Sequence, residues 1–333
     1  MLSAKDIESG KILIPQDCRR ISIEDYNSIF KNYNLKINDI LLTIVGTIGR
    51  VAMVDNLTNK YALQRSVAII RVNSLNHPLF IFYLLQTNNI KKQYYSKMNQ
   101  SAQGGIYLDS LNKLSFKNTI LSEQEKIAKF LSIVDKRIEK QRQLVESLKK
   151  YKRGLLFSIF KIDNKTWSSS NLGDLCNITT GKLDANAMCS NGIYRFYTCA
   201  KEFYYINDYA FDTEALLISG NGANVGYIHH YNGKFNAYQR TYVLDNFKQN
   251  IIYIKYYLET FLHQRIESEK KAGNTPYIVL STLSNFKIKY PAINEQNLIA
   301  KFLSEIDTVI EKHEILLDQI LTIKQGLLQQ MFI

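Results

Sequence analysis

Four cysteines in 333 residues, Cys18, Cys176, Cys189 and Cys199, include no C-x-x-C pair. Neither a zinc site nor a disulfide framework is indicated, no secretory leader is read ahead of them, and a reducing cytoplasm is the expected compartment. Prolines number only 4 and glycines 15, which excludes long disordered linkers. The longest apolar runs, such as Ile81 to Leu85 and Ala215 to Ile218, fall far short of the roughly 20 residues that span a bilayer, so no membrane association is expected. Catalytic signatures are also missing. The Gly-rich stretch Ser219 to Gly226 does not meet the G-x-G-x-x-G spacing and no G-K-[ST] follows it. His229 and His230 are adjacent, a poor geometry for one metal, while His77, His263 and His313 are scattered, so neither metal catalysis nor a His-based triad is supported. Asn274-Thr275-Pro276-Tyr277 is one residue away from the N-P-P-Y motif of adenine methyltransferases, but Thr275 breaks it and no F-x-G-x-G segment stands upstream. That stretch is read instead as a turn before a strand at Tyr277 to Leu280.

What the chain has is positive charge, tyrosine and a repeat. Lys plus Arg exceed Asp plus Glu by 42 to 30, a formal charge of +12, which favours a polyanionic partner. The 22 tyrosines serve as core rings, phosphate donors or stacking surfaces. The segment from Glu123 to Phe160 recurs from Glu295 to Phe332 without a gap and agrees at about half its positions, so the chain is a tandem duplication. In the first copy, Ile127, Leu131, Val134, Ile138, Val145, Leu148 and Leu155 fall at steps of four and three along one helix. Ile299, Leu303, Ile306, Ile310, Leu317, Ile320 and Leu327 do the same in the second. Such a seam wants a partner helix, and the other copy is the nearest one; separate packing of each helix on its own domain is the alternative. Gln141 and Lys152 interrupt the first seam, and His313 and Lys324 the second. An antiparallel pair aligned at its centres is expected to place Gln141 opposite His313, with each Lys near an end reaching water. At about 1.5 Å per residue, each helix would be roughly 55 Å long, a spacer suited to two readers on a divided target.

Before each helix lies a mixed α/β region. Ile40 to Ile44 reads as a buried strand entering Gly46-Thr47-Ile48-Gly49 and Arg50 to Val54; Leu216 to Ser219 leads into Gly220 to Gly226 and then Tyr227-Ile228. Ala62-Leu63-Gln64-Arg65-Ser66 matches Ala237-Tyr238-Gln239-Arg240-Thr241. Helices are expected at Pro78 to Gln86 and Ile251 to His263, and final strands at Leu114 to Ile120 and Phe286 to Ala292. The expected class is α/β (mixed α+β), with two globular domains joined by two long helices in an antiparallel coiled coil. The boundaries are 1–121, 122–160, 161–293 and 294–333.

The strand followed by G-T-I-G, the A-x-Q-R-[ST] segment, the helix opening E-Q-x-x-I-A-x-F-L-x-x-x-D-x-x-I and its close K-x-G-L-L together resemble the specificity subunit of type I restriction-modification enzymes. The resemblance covers nearly the whole chain. It implies two target-recognition domains that bind double-stranded DNA at a bipartite site, and two modification subunits that methylate adenine. It also implies motor-nuclease restriction subunits, with S-adenosylmethionine, ATP and magnesium held by the partners and no cofactor or catalytic residue in this chain. One departure stands out. Trp167 and Leu172-Gly173-Asp174 precede Cys199-Ala200-Lys201-Glu202 by about 30 residues, as in the family, whereas Met1 is followed at once by Ser3-Ala4-Lys5-Asp6. The first domain is therefore expected to lack its N-terminal strand region, through a late start, a shortened gene or a segment supplied by another chain. A scaffold that no longer reads DNA is the alternative function.

Base reading needs directed donors and acceptors, so Arg, Asn and Gln in loops are the first candidates, with Lys positioning phosphates. In the first half these are Lys5, Arg50, Lys60, Gln64 and Arg65; in the second, Lys182, Arg195, Lys201, Asn221, Asn224, Gln239 and Arg240. Recurrence of the Gln-Arg pair in halves with different targets favours a structural or phosphate role over base reading. Lys136, Arg137, Lys140 and Arg142 on the first long helix are solvated decoration or meet partner subunits.

Overall fold

The computed structural model describes residues 1–14, 18–30, 33–57, 61–98, 104–161, 166–269 and 276–332. The chain divides into two compact units, Met1–Gln143 together with Glu314–Ile333, and Leu144–His313. The division falls within the long helices rather than at their ends.

Unit 1 begins with the short hairpin β1 (Ile7–Glu8) and β2 (Lys11–Ile12) and helix α1 (Ile23–Phe30). Its sheet has β3 (Ile40–Thr43) between β4 (Val51–Met53) and β5 (Val67–Ile70), both antiparallel to it. The run Ile-Leu-Leu-Thr makes β3 the centre because every residue in it is apolar or compact enough to bury. Ile40 and Leu42 enter one core and Leu41 the other, so both faces are covered. Helices α2 (Pro78–Leu84), α3 (Asn88–Ser96) and α4 (Leu108–Leu111) follow, then the start of α5 (Leu121–Phe160). Pro78 at the first turn suits its missing N–H, and Thr87 caps α3 by accepting from Ile90.

Unit 2 takes the rest of α5, then β6 (Ser168–Asn171), α6 (Leu172–Leu175), β7 (Asn177–Thr180), β8 (Tyr194–Tyr197) and β9 (Tyr204–Ile206). Next come β10 (Phe211–Ser219), β11 (Ile228–Ala237), β12 (Thr241–Asp245), α7 (Ile251–Glu269), α8 (Leu280–Ser284), β13 (Lys287–Tyr290) and the start of α9 (Ile293–Gln330). The six-stranded sheet runs β7-β12-β10-β11-β8-β9, antiparallel except where β11 meets β8. Along β10, Leu216 and Ile218 face one core while Ala215 and Leu217 face another, repeating the arrangement of β3. Strand β13 pairs separately with β6.

In unit 1, Ala128 and Leu131 of α5 share a core with Leu328 of α9, and Phe332 sits 5.0 Å from Phe80 between ring centres. In unit 2, Leu156 and Phe160 of α5 share a core with Ala300 and Leu303 of α9. Each unit thus sets the start of one long helix against the end of the other, the expected antiparallel sense. Gln141, the last but two of the α5 residues in unit 1, is buried.

The repeated helix opening has a clear physical purpose. Gln124 is buried, accepts from the His77 N–H at 2.8 Å where α2 begins, and donates to the Thr119 carbonyl at 2.8 Å. Gln296 accepts from the Asn250 N–H at 3.1 Å where α7 begins and donates to the Pro291 carbonyl at 2.8 Å. Eleven residues further along each helix, Asp135 accepts from the Tyr83 hydroxyl at 2.8 Å and Asp307 from the Tyr256 hydroxyl at 2.7 Å. Each Asp also pairs with a lysine of the other long helix, Asp135 with Lys324 at 2.6 Å and Asp307 with Lys152 at 2.7 Å. The same repeat motif therefore docks a globular helix and fixes the helix pair in both units.

Three expectations need correction. Lys152 and Lys324 are not simply turned to water: only 17% and 18% exposed, their side chains lie over the Tyr256 and Tyr83 rings beside the two aspartates. Leu114 to Ile120 is not a strand. Its counterpart β13 is ordered by pairing with β6, whereas in unit 1 the Gln93 amide instead takes both backbone groups of Ser115, at 2.7 and 3.0 Å. Tyr277 to Leu280 is also not a strand; Tyr277 makes one bridge to Asn221, and Leu280 already begins α8. Beyond this, α7 runs six residues past its expected end at His263.

Candidate nucleic-acid interface

In unit 2 the loops carrying most candidate residues are tied together through their backbones. After β11, the Tyr238 N–H donates to Tyr197 and the Gln239 N–H to Leu183, both at 2.9 Å, so this connection is held on both sides. The Arg240 carbonyl accepts from the Gly220 N–H at 2.8 Å and from the Cys199 thiol at 3.4 Å. A Cβ at Gly220 would fall 2.4 Å from that carbonyl, so only glycine permits the approach. The turn after β10 closes through Gly226, at φ +81°, whose N–H donates to Ser219 at 2.8 Å; Gly49 takes φ +87° at the matching place in unit 1.

These ties gather Lys182, Lys201, Asn221, Asn224, Gln239 and Arg240. The lysines, Gln239 and Arg240 are exposed, and the two asparagines are half-buried. The Asn224 amide points inward, donating to the Cys199 carbonyl at 3.1 Å. His229 meets the next carbonyl, Ala200, at 3.1 Å through Nε2. Burial holds this imidazole below its usual pKa, partly opposed by the bond to Ala200, so it stays neutral near pH 7.

Arg195 is engaged differently. Its guanidinium lies 4.3 Å from the Phe203 ring centre and 4.5 Å from that of Tyr231, with the Tyr197 hydroxyl at 3.4 Å. The Tyr197 contact raises its pKa further, so the arginine is a fixed charge within an aromatic clamp. The rings of that clamp, contributed by β8, β11 and the loop before β9, were not singled out from the sequence; the tyrosine excess was the signal for the two tyrosines.

In unit 1 the Leu2 N–H donates to Ala62 at 2.6 Å and the Gln64 N–H to Leu2 at 2.8 Å, bringing Lys5 and Gln64 around a cavity of about 160 Å³ that Arg19 also lines. Lys5 and Arg65 are exposed, while half-buried Arg50 reaches the Ile7 carbonyl at 3.5 Å. Lys60 lies outside the described residues. Arg19 had no motif to mark it. Among the described residues, no group of three or more His, Cys, Asp or Glu could hold a metal ion, and no helix is long and apolar enough to cross a membrane.

Each unit thus carries a Lys-bearing turn beside a Gln-Arg segment, next to a glycine-closed strand connection. Residues 3–150 and again 164–322 match the family described as type I restriction modification DNA specificity domain. The chain belongs to this family. The type I restriction enzyme EcoDI specificity subunit of Escherichia coli is 38% identical over 154 residues, 46% of this chain and 34% of that protein. The type I restriction enzyme MjaVIII specificity subunit of Methanocaldococcus jannaschii is 24% identical over 282 residues, 72% of this chain and 65% of that protein. These two matches therefore span about a third and just under two thirds of the curated relatives. The fold agrees with the crystal structure of a type I restriction-modification system S subunit from M. genitalium, with a TM-score of 0.65 at 19% identity, covering 100% of this chain and 92% of that one. A DNA specificity subunit of the type I class, with two recognition domains and two long helices, accounts for the duplicated sequence and both loop clusters.

Proposed function

We propose that the chain reads a bipartite double-stranded DNA target, each unit contributing one half-site, and directs partner subunits to methylate adenine and to restrict unmodified DNA. The observation that carries this is the paired loop cluster: the same turn, Gln-Arg segment and glycine-closed connection occur in both units with different side chains around them. Exposed lysines and Arg65 or Arg240 supply phosphate contacts, and the amides of Gln64, Gln239 and Asn221 lie nearby to meet base edges. The recognition domains are assigned to 1–121 and 161–293, and the long helices to 122–160 and 294–333.

Two modification subunits fit a second repeat on the long helices. Phe130 and Phe302 are each 45% exposed, and Tyr151 and Ile323 each 58%. Unit 1 presents Phe130 and Ile323, unit 2 presents Phe302 and Tyr151, so each unit offers the same phenylalanine with a large side chain at the equivalent second place. Exposed rings at equivalent places in a duplicated element support two equivalent protein partners. S-adenosylmethionine, ATP and magnesium belong to those modification subunits and to the restriction subunits. Four unpaired cysteines support a cytoplasmic setting.

The test is co-expression with a type I methyltransferase subunit from the same genome and genome-wide mapping of N6-methyladenine by single-molecule sequencing, with a chain-deleted control. A chain-dependent motif of two short elements at fixed spacing is the expected outcome. A soluble complex and an active methyltransferase without chain-dependent methylation would replace this function with the scaffold reading.

A further inference from the structure

We propose that Asn224 and His229 set the sequence preference of unit 2 without touching DNA, by holding two successive carbonyls, Cys199 and Ala200, and so aiming the turn that carries Lys201. This rests on the DNA-reading function above and deepens it. Strand β8 ends at Tyr197, and beyond it no strand partner among the described residues takes these two carbonyls; side chains from the turn and strand that follow β10 take them instead, both at 3.1 Å. Within the turn, the Ala200 N–H donates to Thr198 Oγ1 at 3.2 Å, and the Cys199 thiol reaches Arg240. The Lys201 side chain is exposed just past the last held carbonyl.

The chemistry of each holder is defined. A carbonyl only accepts, so the Asn224 amide nitrogen and the His229 Nε2 hydrogen face inward, and His229 is the Nε2-protonated neutral tautomer. Its ring is fixed between Tyr197, 5.0 Å away between ring centres, and Tyr227 at 4.8 Å. One of the two N–H bonds of the Asn224 amide is committed to the Cys199 carbonyl, which fixes the direction in which that amide points.

Unit 1 holds its equivalent turn by another device. Asp6 takes both the Ser3 N–H and the Ser3 hydroxyl at 2.7 Å, and the Ala4 N–H donates to Ser66 Oγ at 3.2 Å. There the turn closes on its own carboxylate and on the Gln-Arg segment; in unit 2 it is held from the turn after β10 and from the start of β11. The lysine is kept in both while the supports differ, as expected where each unit aims the same turn at a different target.

Methylation mapping with co-expressed methyltransferase tests this on the full chain, using Asn224→Leu, His229→Ala and His229→Gln; glutamine keeps an N–H donor able to reach the Ala200 carbonyl. Asn224→Leu and His229→Ala are expected to raise methylation at sites with substituted bases at least tenfold, confined to one half of the motif, while the other half stays unchanged. His229→Gln is expected to restore the wild-type motif. Should a folded Asn224→Leu chain that still binds its methyltransferase keep the wild-type motif in both halves, the proposal is overturned. An even loss of methylation at all sites with the motif unchanged also overturns it, assigning these residues to stability or affinity alone. Failure of the wild-type chain to direct any methylation is a different result, which removes the DNA-reading function itself.

Discussion

Phe116 in unit 1 and Ile288 in unit 2 occupy the same place ahead of the repeated helix, eight residues before its Gln, yet Phe116 is 39% exposed and Ile288 is fully buried. Ile288 lies on β13, which pairs with β6 and packs against the core holding Leu172 and Leu175. Phe116 lies on a segment that forms no strand and whose Ser115 backbone is taken by a glutamine side chain. Sequence that would make a strand in either place does so only where a second strand is present to bond it. The features that dock the globular helices, by contrast, are alike in the two units: Gln124 and Gln296, Tyr83–Asp135–Lys324 and Tyr256–Asp307–Lys152.

Truncating the two positions should therefore give unequal losses. Ile288→Ala is expected to cost about 2–5 kcal/mol of stability, while Phe116→Ala costs less than ~1 kcal/mol because much of that ring already meets water. Chemical denaturation followed by amide hydrogen exchange in each unit measures both; equal losses would mean that Phe116 is covered in solution. Substituting the buried glutamines probes the likeness instead. Gln124→Ala and Gln296→Ala each strand a backbone N–H at a helix start, and each is expected to cost about 1–3 kcal/mol, in similar amounts. Smaller effects are expected at the two lysines. Lys152→Met and Lys324→Met leave partly exposed aspartates without their cation, at about 1 kcal/mol each after allowance for solvent screening. Matching shifts in midpoint would uphold the equivalence of the two ion pairs, and a loss at one alone would break it.

The long helices were legible because their apolar steps repeat locally for about eight turns, and β3 because four adjacent residues have no polar demand beyond one threonine. Leu114 to Ile120 was misread because its counterpart's order comes from β6, more than a hundred residues earlier in the chain. Lys152 and Lys324 were misread because the pattern shows a cation in the seam and cannot show an aspartate on the facing helix. The loop clusters were legible as basic, amide-rich segments that recur. Side-chain direction was not: Arg195 is turned by Phe203 and Tyr231, and Asn224 by a carbonyl 25 residues away.

The make-up of unit 1 also bears on synthesis. Unit 2 is one uninterrupted stretch, Leu144–His313, whereas the core of unit 1 includes Leu328 and its aromatic contacts include Phe332. Domains ordinarily fold in the order in which the ribosome delivers them. Here the segment that precedes unit 2 waits for packing partners that follow it, so unit 2 can close before unit 1 is sealed.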